Sequence, residues 1–329
     1  MLARLQKLCE TAAPSGAEGA LAKIIEEEIR PFADEIYQDA LGNLIAHKKG
    51  DGKRLMFAAH MDEIGLTATC YGEKGQIYVS ALGGINPHAA LYQHVQFTGG
   101  AKGVLVPDGK QADLIKTLKT GDMYVDVGAG SEEEAQKLVA LGETAVFDGA
   151  FYRQGDVVVS KALDNRAGCC VLIEAMRRIQ HHSNDLYFVF TVSEELGLRG
   201  AKAAAVSVKP DFAVAIDVTR TGDTPSGGKM AVKLGQGVAV KIMDSSFLAH
   251  PIIKTAMQAV CNDQNIPFQP EVLERGGTDA GAIHLTGGGV PSGCISIPTR
   301  YIHTPCEMIH QSDLEAAAAL ATALIERGL

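Results

Sequence analysis

The stretch LYFVFTVSEELGLRGAKAAAVSVKPDFAVAIDV, residues 186–218, decides the fold. It opens with an apolar run, turns through two adjacent glutamates into an Ala-rich helical segment, and returns to a second apolar run ending at Asp217. Strands that read as continuous apolar runs are buried on both faces, and strands interleaved with helices build an α/β sheet. The same grammar continues on either side. LMFAAH (55–60) reads as a buried strand, and VVVS (157–160) leads through ALDNRAG into the helix CCVLIEAMRRI. The helix PIIKTAMQAVCND (251–263), the strand GCISIP (293–298) and the closing helix SDLEAAAALATALIERG (312–328) follow in turn. Residues 1–30 read as amphipathic helix around a Pro-Ser-Gly break at 14–16. The expected fold is α/β, with a central mixed, mostly parallel sheet sandwiched by helices.

Between about Leu66 and Gly155 the texture differs. Short alternating segments such as QIYVSAL, HVQFTG and GVLVP are separated by Gly-rich turns, the pattern of a compact β-rich unit. Inside it, Ser131 followed by Glu134 reads as a capping box for a helix over EEEAQKLVAL. The expected division is therefore one α/β domain of residues 1–65 and 156–329, interrupted by a β-rich insert at 66–155.

Composition narrows the function classes. The 329 residues are 46% hydrophobic, enough to bury a core, and the formal net charge of −9 comes without any basic run. Nucleic acid is thus excluded as the main partner. Aromatics are only 5% with no Trp, which argues against stacking platforms for sugars or bases. No apolar stretch reaches the ~18 residues of a membrane span, and the first residues lack a signal h-region. Seven cysteines, with Cys169 and Cys170 adjacent, do not make a disulfide framework, so a reducing, cytoplasmic setting is expected.

The informative residues are those that stop the apolar runs. His60 ends LMFAAH, Glu194 and Glu195 follow LYFVFTVS, and Asp217 ends FAVAI. Asp164 lies between VVVSKAL and the next helix, and His303 follows GCISIP in the loop TRYIHTP. Ligand sites of open α/β sheets form outside the carboxyl ends of the strands, so these positions converge on one crevice. Two imidazoles with several carboxylates suit Zn, Co or Mn and require no thiolate. Five such ligands exceed what one catalytic ion needs, and fit two ions about 3.5–4 Å apart with one bridging carboxylate. Asp164, at a helix N-terminus, is the natural bridge. One of Glu194 and Glu195 is then a ligand and the other a general base, and Asp62 is placed to orient the His60 imidazole. Taken singly, each has a plainer reading as a cap, a turn or a solvated strand end; their joint placement at strand ends favours the site.

Other candidates read as structural. His181 and His182 follow an Arg-rich helix end, Cys306 is a small packing residue, and Thr278 in GGTDAG (276–281) caps a helix. GGGVPSG (287–293) lacks the Lys-Ser/Thr ending of a P-loop, and HMDEIG contains no HExxH.

Together, AAHMDEIG, KALDNRAG, SEELGLRGA, AIDV, RGGTDAGAI and IPTRYIHTP resemble the dinuclear-metal aminopeptidases of the tetrahedral (TET) type. That family includes glutamyl aminopeptidases and proteins once labelled cellulase M. The likeness covers nearly the whole chain. It implies hydrolysis of the N-terminal residue from peptides with a free N-terminus, and a PDZ-like insert that mediates assembly into homo-oligomers, commonly dodecamers. By motif, His60 and Asp217 would hold one ion, Glu195 and His303 the other, and Asp164 would bridge them. Glu194 would be the base and Asp62 the support of His60. Cys306 departs from the family, which usually carries an aliphatic residue there. Glycoside hydrolysis, a non-catalytic assembly role and a carboxypeptidase or deacylase of related fold are the competing readings; acidic, aliphatic and broad first-residue preferences all fit the sequence.

Overall fold

The computed structural model describes residues 1–109, 117–225 and 227–329; residues 110–116, inside the expected insert, lie outside it. In chain order the strands begin with β1 (Glu35–Gln38), β2 (Leu44–Lys48) and β3 (Arg54–His60). The next six are β4 (Gly65–Tyr71), β5 (Ile77–Leu82), β6 (His94–Phe97), β7 (Lys102–Pro107), β8 (Met123–Asp126) and β9 (Thr144–Phe147). Then come β10 (Tyr152–Gln154), β11 (Val157–Ser160), β12 (Asp185–Thr191), β13 (Phe212–Arg220) and β14 (Val238–Met243). The last are β15 (Phe268–Val272), β16 (Ser292–Arg300) and β17 (Glu307–His310).

Strands β12, β3, β13 and β16 lie side by side in parallel at the centre of one large sheet. Around them the order is β1-β2-β12-β3-β13-β16-β17-β11-β10, with β14 and β15 added along β16. The expectation of a mostly parallel sheet holds only for this centre. Among the described residues the sheet has ten strand pairings, four parallel and six antiparallel. Helical crossovers feed the central strands, whereas short returns such as β1-β2, β10-β11 and β16-β17 can only run antiparallel.

Alternate residues of the central strands face two separate layers. Leu55, Phe57 and Ala59 of β3, with Val214, Ile216 and Val218 of β13, join the large core. That core is closed by the helices Leu2–Glu10, Gly19–Ile29, Leu163–Arg178, Pro251–Asp263 and Gln311–Arg327. Met56, Ala58 and Ala213 face the other way, onto the helices Arg199–Val208 and Asp279–Ile283. The strand period of two carries this second row on to His60 and Asp217, at the rim of the thinner layer. No described helix is long and apolar enough to cross a membrane.

Strands β4-β5-β8-β7-β6-β9 close into a six-stranded barrel. It has its own core, including Leu66, Val79, Val95, Phe97, Leu105, Val125 and Phe147. Strand β10, within the range expected for the insert, instead pairs with β11 in the large sheet. The helix at Glu132–Leu138 forms with Ser131 as its cap: the Ser131 hydroxyl accepts the Glu134 N–H at 3.3 Å. The Glu134 carboxylate reaches one residue further back than a capping box requires, to the Gly130 N–H at 2.7 Å.

A buried ion cluster ties the N-terminal helix to the start of the barrel. Arg166, wholly buried, donates to the Leu8 and Thr11 carbonyls at 2.6 and 2.9 Å and pairs with Glu63 at 3.0 Å. Lys161 reaches the same carboxylate at 2.7 Å. Removing the single anion leaves two buried cations uncompensated. Glu63→Leu should therefore lose about 3–5 kcal/mol of stability, read as a lower urea midpoint; an unchanged midpoint would show that the cluster does not support the fold.

Candidate active site

The expected site residues meet at the carboxyl ends of the central strands. His60 is the last residue of β3 and pairs in register with Thr191 of β12. Ala215 of β13 lies opposite Ala58 of β3, so Asp217 comes level with His60 one pleat later. Glu194 and Glu195 sit in the turn after β12, and His303 in the turn after β16, with a left-handed φ of 65°.

Asp164 follows β11 at an irregular helix start. Its own backbone (φ −77°, ψ 106°) and that of Asn165 are not helical, so the regular helix begins after them. Asn165 is the working cap: its Oδ1 accepts the Gly168 N–H at 3.0 Å, while its Nδ2 donates to the Ile216 carbonyl at 2.8 Å. That bond fixes the turn carrying Asp164 beside the residue preceding Asp217. Gly168 is required here, because a Cβ would lie 2.2 Å from Asn165 Oδ1 and 2.6 Å from the Ile216 carbonyl.

Two sets of residues able to hold a metal ion result among the described residues: His60, Asp164 and Asp217 in one, and Asp164, Glu195 and His303 in the other. Asp164 belongs to both. Its Oδ1 lies 3.1 Å from His60 Nε2, and its Oδ2 3.3 Å from His303 Nε2. His60 Nε2 is 3.7 Å from Asp217 Oδ1, and His303 Nε2 is 3.3 Å from Glu195 Oε2. Ligand atoms around a tetrahedral cation with bonds of about 2.0–2.1 Å stand about 3.3 Å apart, so these separations fit such an ion. Glu195 Oε1 is buried with no partner among the described residues, a further mark of a ligand atom. The donor set therefore fits divalent metal. Glu194 belongs to neither set, although its Oε2 approaches His60 Nε2 to 3.9 Å.

Asp62 does more than the sequence suggested. His60 Nδ1 lies 3.1 Å from the Asp62 backbone carbonyl and 3.5 Å from its carboxylate. That carboxylate accepts the N–H groups of Glu194 and Glu195, at 3.0 and 3.2 Å, and the Ser15 hydroxyl at 2.6 Å. It holds the turn bearing both glutamates as well as the ring.

Crowding sets the electrostatics. Burial would lower the pKa of His60, but the Glu194 charge and contacts with Asp164, Asp217 and Asp62 raise it well above the usual imidazole range. His303, only half-buried, is pushed up to about 11 by Asp164 and Glu195 against the opposing effect of its partial burial. Asp164 is held low despite its burial, because both imidazoles touch it. Burial, together with the charges of Asp217, Asp279 and Glu195, drives Glu194 well above the carboxylate range, against the pull of His60.

Three features escaped the sequence reading. Glu307, at the start of β17 and four residues past His303, is buried and accepts backbone N–H groups from both Asp164 and His303. Asp279, which follows the Thr278 read as a helix cap in GGTDAG, is buried and accepts the Thr191 hydroxyl at 2.6 Å. Burial pushes its carboxyl up to about 7. Gly84, just past the barrel strand β5, places its carbonyl 3.1 Å from His303 Nδ1. A carboxylate four residues past His303 was the only signal for Glu307, and Asp279 carried none beyond its place in the motif RGGTDAGAI. Thr278 occupies a cap position but bonds Asp244 instead, at 3.4 Å. His181 and Cys306 are exposed, and neither belongs to the two ligand sets.

A cavity of about 440 Å³ opens over the cluster, with Leu198, Arg220, Leu273 and Arg275 also in its wall. Residues 42–320 match the family described as M42 glutamyl aminopeptidase. The chain belongs to the M42 peptidase family. A relative from Acetivibrio thermocellus is 49% identical over 96% of each chain. The aminopeptidase APDkam598 of Desulfurococcus kamchatkensis is 36% identical, covering 99% of this chain and 94% of its own, with a TM-score of 0.95. The TET1 peptidase of Pyrococcus horikoshii is 33% identical over 98% of each chain, with a TM-score of 0.88. This M42 peptidase is thus a hydrolase, and its family supports metal-dependent aminopeptidase activity.

Metal uptake must displace protons from this cluster. His303, held up to about 11, is protonated at neutral pH in the metal-free protein. Calorimetric titration with Zn or Co in buffers of differing ionisation enthalpy should show release of about one proton or more per subunit, with affinity falling as pH drops. A heat independent of buffer would refute this.

Proposed function

We propose that the protein removes the N-terminal residue from peptides with two divalent cations shared across Asp164 and with Glu194 as the general base. The observation that carries this reading is the split of Asp164: its two oxygens face two different ligand sets, while Glu194 stands beside them and joins neither. His60 and Asp217 would hold one cation and Glu195 and His303 the other. Zn, Co and Mn all accept this donor set. Bound there, the cations supply charge that polarises the scissile carbonyl and acidifies the attacking water.

The rest is the work of the chain itself. Glu194 takes a proton from the attacking water and returns it to the leaving amine, a task suited to a carboxylate whose pKa burial has raised well above its ordinary range. Asp62 keeps Glu194 and Glu195 in place through their N–H groups, so base and ligand move together. Surplus carboxylate around the cavity favours a substrate with a free, positively charged α-amino group.

In the same reading, residues 1–65 and 156–329 form the catalytic unit, and 66–155 a PDZ-like assembly insert. The separate barrel core supports that division, with β10 remaining on the catalytic sheet. The Pyrococcus horikoshii TET1 peptidase can assemble into a tetrahedron or a large octahedral shell, which supports a homo-oligomer, a dodecamer in our proposal. The site of action would be the cytoplasm.

Two outcomes test the chemistry and the specificity. Glu194→Gln should keep its metal while turnover of aminoacyl-anilides falls by about 10²–10⁴; full turnover would remove Glu194 as the base. Chelation should abolish wild-type activity, Zn or Co should restore it, and N-acetylated peptides should resist cleavage. Arg220 and Arg275 in the cavity wall favour acidic first residues, consistent with the family's description. Across an anilide panel, glutamyl and aspartyl substrates should lead, and Arg275→Ala should erase that lead. Equal rates for lysyl substrates would contradict it.

A further inference from the structure

The geometry points to Glu307 as a positioning residue that sets the main-chain separation of Asp164 and His303, an inference that rests on the metal-centre reading above. These two ligands are brought together from distant parts of the chain, and one side chain links them. Glu307 Oε2 accepts the Asp164 N–H and Oε1 accepts the His303 N–H, each at 2.8 Å. Neither N–H has a regular backbone partner. That of Asp164 falls in the irregular turn before the regular helix, where no intrahelical acceptor is available. That of His303 falls in a tight turn with the backbone in the left-handed region.

Glu307 itself is anchored. It opens β17, lies opposite Ser160 of β11 in the ladder, and is only 2% exposed. Because β11 leads into the turn carrying Asp164 and β16 into the turn carrying His303, a carboxylate at this point spans both exits. The Gly84 carbonyl at His303 Nδ1 then fixes the ring, leaving Nε2 towards Asp164 and Glu195. Asp62 performs the equivalent service for Glu194 and Glu195. Each of these two buried carboxylates thus holds two site residues by their backbone amides.

The consequence is selective. Both residues held by Glu307 belong to the set Asp164, Glu195 and His303, whereas only Asp164 belongs to the set with His60 and Asp217. Glutamine at 307 keeps the size but offers one acceptor oxygen, and its NH₂ meets the other amide donor to donor. Glu307→Gln should therefore bind one cobalt ion with near-native affinity and the second about 10–100-fold more weakly, followed by calorimetry and by the visible absorption of each site. Two ions at wild-type affinities would overturn the assignment. Hydrogen exchange on the metal-free wild-type protein reads the same clamp without a variant. Slow exchange at the Asp164 and His303 amides is expected, and exchange at the open-chain rate would overturn it. A wild-type protein that binds fewer than two ions would instead overturn the metal-centre reading, leaving the exchange result to judge Glu307.

Discussion

The structure depends on gathering like charges where water is scarce. Asp164, Glu194, Glu195 and Asp217 surround two imidazoles in a largely buried pocket, and each carboxylate raises the cost of ionising its neighbours. The two imidazoles, whose pKa values the carboxylates raise, offset only part of that charge. Divalent cations, bound in place of the imidazole protons, would offset more of it, and the spacing of the candidate ligand atoms suits them. Such a cluster cannot support its own geometry, because its members repel one another. The surrounding chain must hold it.

That support comes through the backbone more than through the side chains that face the ligands. Carboxylates from the end of β3 and the start of β17 accept the amides of the ligand-bearing turns, and Asn165 binds the helix start to β13. A backbone N–H cannot rotate away as a side chain can, so bonding it fixes where the next side chain begins. Close contact between the helix Leu163–Arg178 and β13, permitted by Gly168, completes the frame. The left-handed conformations at Ala162, Ser193 and His303 mark the turns in which the chain is bent to present these groups.

The barrel leaves the sheet immediately after His60. Only the short segment from Met61 to Ile64, which includes Asp62 and Glu63, separates His60 from β4. The end of β5 then returns to the site. A Cβ at Gly83 would lie 2.9 Å from Glu195 Oε2, and one at Gly84 2.8 Å from His303 Nδ1. The two glycines let the barrel touch the ligand set directly, so its placement and the geometry of His303 are mechanically joined.

By itself the sequence determined which residues end the strands, because apolar runs and the two-residue period are local properties of the chain. That was enough to nominate His60, Asp164, Glu194, Glu195, Asp217 and His303 together, and to separate a β-rich segment from the α/β frame. Only the tertiary structure decided who holds those residues. Glu307 and Asp279 look like ordinary acidic residues in the chain, and Asp62 looked like a partner of His60 alone. Their tasks follow from strand order, which brings β17 beside β11 and the loop before Asp279 beside β12. Hydrogen bonds to backbone amides leave no periodic trace in sequence, because the partner is set by proximity in space and any residue except proline can supply an N–H.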